Sequence, residues 1–199
     1  MAWLEPLVLQ GPGVRLEPLS LQHHDEAVDA VRDGELWKLW YTTIPAPDAM
    51  RTEIERRLSL QAAGTMLPFA VRDRRSQKVV GMTTYMHVDE ANHRLEIGST
   101  WYAKSAQRSG LNTECKLLLL EHAFEPLKSI AVEFRTHFFN RQSRRAILRL
   151  GAKLDGVLRN HAVAANGTLR DTCVYSIIAS EWPTVKAHLQ AESSRPPRV

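Results

Sequence analysis

The chain has 199 residues, 44% of them hydrophobic, and two cysteines, Cys115 and Cys173, which form no CxxC pair. A chain of this length can bury about 70% of its unfolded surface, so we expect one domain that needs neither disulfides nor a structural metal. The net charge of +4 favours anionic ligands but is modest for a nucleic-acid-binding protein. No apolar run reaches the roughly 18 residues of a membrane span, and we expect a cytoplasmic protein.

The first half of the chain predicts a strand pair, two helices and a three-stranded meander, each bounded by turn residues. A glycine-rich turn at 11–13 joins the first two strands, and Asp48 can cap the second helix. The loop between the helices contains Trp37, Trp40 and Tyr41. The predicted strands are 7–10, 14–18, 66–72, 79–88 and 93–101, and the predicted helices are 24–32 and 48–63.

The second half predicts a leucine-rich helix, a strand, a short helix capped by Asn140, a hairpin and a last helix. The pair Asn166-Gly167 is a strong signal for the turn of that hairpin. The predicted strands are 130–136, 154–164 and 168–179, and the predicted helices are 113–125, 141–150 and 180–190. One mixed α/β domain thus fills residues 1–190, and we expect the polar residues 191–199 to form a flexible tail.

The segment between the strand that ends at Trp101 and the leucine-rich helix has the sequence Gln107-Arg108-Ser109-Gly110-Leu111-Asn112-Thr113-Glu114. A strand that leads through a glycine turn into a helix leaves backbone N–H groups unpaired at the helix N-terminus, where the helix dipole also favours anions. The sequence therefore predicts a phosphate or pyrophosphate cradle here.

Two short motifs occur in order along the chain. Gln107 and Gly110 match the pattern Gln/Arg-x-x-Gly-x-Gly/Ala, with Asn112 in its third place, and Asn140 and Ser143 match the pattern Asn-x-x-Ser. With these motifs and this order of elements, the chain resembles the GCN5-related N-acetyltransferase (GNAT) superfamily. Within it, the chain is similar to the RimJ and RimL branch, which acetylates the N-termini of ribosomal proteins.

The resemblance implies an α/β fold with a mixed, mostly antiparallel sheet of six to seven strands, flanked by helices. In this fold the fourth strand, which here ends at Trp101, splays from the fifth, which here begins near Ile130. The implied reaction is direct acetyl transfer from acetyl-CoA to a primary amine in a ternary complex, without a metal. The acceptor would be a protein N-terminus or a small amine, and a homodimer is plausible by the same analogy.

The resemblance also implies where coenzyme A binds. The acetyl carbonyl would meet backbone N–H groups near residues 100–102, and the pantetheine arm would pair along the splayed strand. Arg108, Arg144 and Arg145 carry guanidinium groups that suit the nucleotide phosphates. The implied coenzyme-binding residues are Thr100, Trp101, Tyr102, Gln107, Arg108, Ser109, Gly110, Leu111, Asn112, Thr113, Asn140, Ser143 and Arg144.

Glu96 is the candidate general base. It lies mid-strand between apolar neighbours, where partial burial would raise the pKa of its carboxyl group, and the ribosomal branch has a Glu in similar context. The alternative is a surface residue that pairs with an arginine such as Arg94. Tyr85, His87 and His137 could each replace Glu96 as the base.

Ser143 is the candidate that protonates the departing thiolate or holds its sulfur by a hydrogen bond. Many superfamily members use a tyrosine for this, and Ile147 stands at the matching position here. The alternative for Ser143 is a purely structural role as the third residue of a helix that Asn140 caps.

The acceptor would lie between the loop 37–44 and the hairpin 158–171. Trp37, Trp40 and Tyr41 could form an aromatic wall for it, although aromatic residues between helices also belong to cores. Further candidates for contact with the acceptor are Tyr85, His87 and His137. The hairpin carries polar residues that could contact a peptide terminus or a neighbouring subunit, namely Arg159, His161, Arg170 and Asp171. The alternative to an enzyme is a module of the same fold that senses acyl-CoA without turnover, and we expect neither a stable nucleic-acid partner nor a membrane.

Overall fold

The computed structural model describes residues 3–193 of the chain. Alternating apolar residues form strands at every predicted position, and the amphipathic stretches between them form helices. The strands are β1 (Leu9–Gln10), β2 (Val14–Pro18), β3 (Met66–Asp73), β4 (Val79–Asp89), β5 (Arg94–Tyr102), β6 (Ala131–His137), β7 (Lys153–Val163) and β8 (Leu169–Ile178). The helices are α1 (His24–Arg32), α2 (Met50–Ala62), α3 (Leu111–Phe124), α4 (Arg141–Arg149) and α5 (Trp182–Ser193).

All of these strands join one sheet in the order β1-β2-β3-β4-β5-β6-β8-β7. Neighbours are antiparallel except β5 and β6, which are parallel and pair only from Arg94–Glu96 to Ala131–Glu133. Beyond that point the two strands separate, so the expected splay is confirmed. The sheet has eight strands rather than six or seven, because both strands of the N-terminal pair and both strands of the C-terminal hairpin join it.

Helices cover the two faces of the sheet unequally. On one face, α3 and α5 bury the larger core, to which α4 contributes Ile147. On the other face, α1 and α2 bury a smaller core against β3 and β4. The part of this second face that β6 and β8 form carries mainly polar side chains, and no helix within residues 3–193 contributes to a core there. The splay between β5 and β6 therefore opens beside an uncovered, polar half of the sheet.

Some boundaries differ from the predicted ones. The cradle helix α3 begins at Leu111, two residues early, because Gly110 adopts φ +88° and supplies the N-cap. A 3-10 turn at Pro47–Ala49 precedes α2, and Asp48 makes no side-chain cap. Helix α5 continues to Ser193, so residues 191–193 are helical, and the rest of the predicted tail lies outside the described residues. Within residues 3–193, no helix is long and apolar enough to cross a membrane.

Candidate active site

Strand β5 contains a bulge where it leaves β6. Between the rungs Met82–Trp101 and Thr84–Gly98, β5 has one residue more than β4, and Ser99 adopts φ +46°. A bulge of this kind bends the strand and re-aims its backbone groups. The N–H groups around Ser99 and Thr100 are thereby displaced from the regular ladder, at the position where the resemblance puts the acetyl carbonyl.

A buried arginine holds the bulge from the α2 face. Arg57 is 2% exposed, and its guanidinium donates to Thr84 Oγ1 at 2.7 Å and to the Ser99 carbonyl oxygen at 3.3 Å. Glu53, one turn earlier on α2, accepts from Arg57 Nε at 2.7 Å. This pairing compensates the buried charge, so Arg57 can fix the strained carbonyl of Ser99.

A buried lysine holds the bulge from the opposite face. Lys116 on α3 is 5% exposed, and its Nζ donates to Thr100 Oγ1 at 2.8 Å and to Thr83 Oγ1 at 3.1 Å. Within the described part of the chain, no carboxylate lies at ion-pair distance from it. Burial consequently lowers the pKa of the Lys116 ammonium from 10.5 to about 8. Consecutive residues of the bulge are thus each bound by a buried cation.

Glu96 lies below the bulge on the uncovered face and is 4% exposed. Burial raises the pKa of its carboxyl group, while His87 and Arg135 oppose the rise. His87 Nδ1 lies 2.8 Å from Glu96 Oε2, and Arg135 Nε lies 3.4 Å from the same oxygen. Arg94, the partner considered from the sequence, pairs with Glu133 instead.

Gly98 has no side chain, and the Glu96 carboxylate occupies the space where a side chain at position 98 would lie. A Cβ at this position would come within 2.6 Å of Glu96 Oε1 and within 2.7 Å of Met86 Sδ. A larger residue would displace the carboxylate, so the Glu-x-Gly spacing is part of the site.

His137 and His87 differ in their fitness to act as a base. His137 is buried, and its Nδ1 accepts from the Phe139 N–H at 3.0 Å, so its proton resides on Nε2. Burial lowers the pKa of its imidazole, and Arg170 adds to this effect. His137 therefore offers a neutral donor rather than a free lone pair. His87 instead is exposed on the surface, and its Nδ1 donates to the Glu96 carboxylate.

The loop predicted to form the cradle leads into the N-terminus of α3. Gly110 has φ +88°, Arg108 has φ +63°, and a Cβ at Gly110 would meet nothing within 4 Å, so the space over the loop is open. Ser109 Oγ donates to Ala106 O at 2.7 Å, and Gln107 Nε2 donates to Tyr102 O at 3.0 Å. These bonds tie the loop to the end of β5. The N–H groups of Gln107 and Leu111 donate within the loop, to Lys104 O and Ser109 Oγ, and the first turn of α3 offers its remaining N–H groups to an anion. The residues present therefore fit a pyrophosphate.

Several predicted coenzyme-binding residues can contribute only backbone groups. The side chains of Trp101 and Tyr102 lie in the cores on opposite faces of the sheet, and Leu111 lies in the larger core. Thr113 is buried in the first turn of α3, and Asn112 is partly exposed.

Helix α4 also contacts the loop before α3. Asn140 Oδ1 accepts from the Ser143 N–H at 3.0 Å, so the capping role predicted for Asn140 is present. Arg144 donates to Tyr175 Oη at 3.1 Å and to Phe138 O at 3.1 Å, which holds it on β8 and on the loop after β6. Gln142 is the residue that reaches the loop, at 3.1 Å from Gln107 Oε1.

An exposed aromatic cluster borders the uncovered face. Trp40 is 53% exposed, and its ring centroid lies 5.6 Å from that of Tyr41, 5.3 Å from that of His137 and 6.1 Å from that of Phe139. We call Trp40, Tyr41, His137 and Phe139 the aromatic cluster. The structure thus brings three of the predicted acceptor residues together.

Trp37 and Tyr85 do not belong to this cluster. Trp37 packs on the core beneath α1 and α2. Tyr85 is fully buried on the other face of the sheet, where its hydroxyl donates to Leu119 O. We therefore remove both from the acceptor-contact residues and Tyr85 from the candidate bases.

The site contains residues that the sequence analysis missed: Arg57, Lys116, Arg135, Phe139 and Gln142. Lys116 directly precedes a run of leucines, and this position could have indicated that its side chain is buried. The alternation of polar residues on β6 with apolar ones is a signal for Arg135. Arg57 and Gln142 carry no local signal, because their roles depend on which strand or loop packs against their helices.

Known proteins share this architecture. A family model described as an acetyltransferase (GNAT) domain matches residues 14–153. A GCN5-related N-acetyltransferase from Brucella melitensis is 34% identical, with a TM-score of 0.84 over 96% of this chain and 87% of that chain. A T. thermophilus protein assigned as an acetyltransferase is also 34% identical, with a TM-score of 0.84 over 96% of this chain and 98% of that chain.

RimJ of Mycobacterium smegmatis, solved with CoA-disulfide, is 22% identical, with a TM-score of 0.79 over 96% of this chain and 94% of that chain. None of the curated proteins matched the chain. The splayed sheet, the glycine cradle and these matches agree, and the chain belongs to the GNAT family of acetyltransferases, whose members use acetyl-CoA.

Proposed function

We propose that this protein transfers an acetyl group from acetyl-CoA to a primary amine, directly and in a ternary complex. The observation that carries this proposal is the buried Glu96 carboxylate on the uncovered face, next to the β5 bulge. Burial raises the pKa of the Glu96 carboxyl group, and a carboxylate with a raised pKa accepts an amine proton more readily than an ordinary carboxylate does.

Backbone N–H groups of the cradle would hold the pyrophosphate, and Arg108 is available to its phosphates. When bound, acetyl-CoA supplies the acetyl thioester that is the donor. Asn140 and Gln142 would border the coenzyme from α4, and the open splay of β5 from β6 leaves room for an extended arm.

Glu96 would take one proton from the acceptor, directly or through water, so that the neutral amine can attack. His87 and Arg135 would keep Glu96 ionised before the transfer. The N–H groups of the bulge would donate to the carbonyl oxygen as it gains charge. As the C–N bond forms and the C–S bond breaks, the nitrogen would lose its second proton, and the Ser143 hydroxyl would relay this proton to the departing sulfur.

The acceptor in this proposal is a protein N-terminus or a small amine, and the fold shared with RimJ supports the first. The protein would act in the cytoplasm, a location with which the free, buried Cys115 and Cys173 are compatible. A homodimer is part of the proposal by analogy with the family.

The test is release of free CoA from acetyl-CoA over a panel of amines and N-terminal peptides, combined with thermal unfolding. We expect acetyl-CoA to raise the melting temperature and at least one acceptor to give turnover. A raised melting temperature without turnover would contradict the enzyme and support the acyl-CoA sensor. No shift at all would contradict both functions.

A further inference from the structure

Arg170 stands at the start of β8, on the uncovered face of the sheet. Its neighbour two residues on, Thr172, pairs with His137 of β6, so Arg170 shares a face with His137, Arg135 and Glu133. Arg170 Nε donates to Thr172 Oγ1 at 3.1 Å, which directs the side chain back along the sheet.

Arg170 is partly buried but is not part of an ion pair within residues 3–193. Burial lowers the pKa of its guanidinium, and the negative charge of Glu96 acts in the opposite direction. The positive charge of Arg170 also lowers the pKa of His137, which belongs to the aromatic cluster. Arg170 therefore lies within electrostatic range of both the candidate base and the aromatic cluster.

The arginines on this face differ in whether they have an anionic partner. Glu133 is paired with Arg94 and Arg135, and Arg135 also contacts Glu96. Of these three arginines, only Arg170 forms no ion pair within residues 3–193. A partly buried guanidinium that has lost water without gaining an anion is a favourable site for one.

We propose that Arg170 binds a carboxylate of the acceptor while Glu96 receives the proton of its amine. This inference rests on the proposed acetyl transfer and narrows its substrate class to amines that also carry a carboxylate. A single guanidinium without an ion-pair partner matches one negative charge, which favours a carboxylate over a dianionic phosphate. The carboxylate has two possible sources, the main chain of a free amino acid or an acidic side chain near a peptide N-terminus.

Matched acceptors test this inference and separate the two sources. One pair is phenylalanine and phenylalaninamide, and the other is two tripeptides with Asp or Asn as second residue. For each pair, the ratio of kcat/KM between acid and amide is compared in the wild type and in Arg170→Gln. We expect Arg170→Gln to lower this ratio by about 10- to 100-fold for at least one pair, through loss of a charge-assisted hydrogen bond. Arg170→Lys should restore part of it.

Arg75→Gln is the matched control, because Arg75 is exposed in the turn between β3 and β4 and is not part of the candidate site. It removes the same charge and should leave the ratio unchanged. If the acid-to-amide ratio of kcat/KM falls equally in both variants, the effect comes from the net charge of the protein. That result would overturn the assignment of Arg170 as the carboxylate-binding residue. An acid-to-amide ratio that Arg170→Gln leaves unchanged in both pairs would also overturn it.

Calorimetric binding of the same acids and amides to the CoA-loaded protein keeps the inference testable if turnover is absent. Binding of an acid that weakens in Arg170→Gln, without acetylation of any amine, would support the carboxylate site and reject the enzyme. Equal binding of acid and amide to both proteins would reject the carboxylate site. Thermal unfolding of each variant verifies that it folds.

Discussion

Replacing Lys116 with methionine should change how the stability of the protein depends on pH. Lys116 is buried against the bulge between Thr83 and Thr100, and burial lowers the pKa of its ammonium to about 8. Methionine is of similar length and carries no charge. The Thr83 and Thr100 hydroxyls, 2.8 Å apart, can still bond each other in the variant.

The direction of this pH dependence follows from the number of protons that the folded and unfolded states bind. Between pH 8 and the ordinary lysine value of 10.5, the folded state has released the Lys116 proton while the unfolded state still holds it. The free energy of unfolding therefore rises with pH in this range, and falls as pH drops toward 8. From pH 7 to pH 10 the wild type should gain ~2.5 kcal/mol relative to Lys116→Met. Cys115 and the buried tyrosines titrate in both proteins, so their contributions to the difference in unfolding free energy largely cancel.

Urea denaturation of both proteins at pH 7, 8, 9 and 10 measures this difference, with Lys78→Met at an exposed turn as the control. The free energies of wild type and Lys116→Met should diverge above pH 8, while wild type and control stay parallel. A difference that does not change with pH would show that Lys116 keeps its proton, and would refute the reasoning.

Three further changes test other parts of the site. Gly110→Val should weaken acetyl-CoA binding, because valine is strained by about 1–3 kcal/mol at φ +88°, and normal affinity in a titration would contradict the cradle. Glu53→Gln should cost about 3 kcal/mol of stability in urea denaturation, since it leaves the Arg57 guanidinium buried without its carboxylate, whereas exposed Glu55→Gln should cost almost nothing. Trp40→Ala should raise the acceptor KM by about 10-fold with little change in kcat, and a fall in kcat alone would remove Trp40 from acceptor binding.

The fold follows largely from local sequence. Periodic apolar residues predicted every strand and helix, and the glycine at position 110 predicted the turn that begins α3, because these features depend on backbone conformation and on alternation along one element. The splay of the sheet was predicted only from the family resemblance, because parallel pairing of two strands separated by a helix has no local sequence signature.

Side-chain direction on β4 shows why the site was harder to predict. Simple alternation places Tyr85 and His87 on the same face, and both were candidates for the site. The irregular register after Met86, with His87 at φ +48°, turns His87 toward Glu96 and leaves Tyr85 in the core. A bulge of one residue thus separates a candidate site residue from a core residue.

The two buried cations illustrate a second limit. Arg57 and Lys116 come from helices on opposite faces and meet the bulge only because α2 and α3 pack at the same strands. Their partners are distant in sequence, so neither composition nor spacing reveals the contact. The same holds for Arg135 and the Glu96 carboxylate.

The most direct test of the account is turnover by Glu96→Gln, a substitution that keeps the shape of the side chain and removes the proton acceptor. We expect kcat to fall by about 10²-fold or more while acetyl-CoA binding, measured by titration, stays unchanged. His87→Gln should cost less, because Glu96 would remain as the base. Wild-type turnover in Glu96→Gln would contradict the central claim that this buried carboxylate accepts the amine proton.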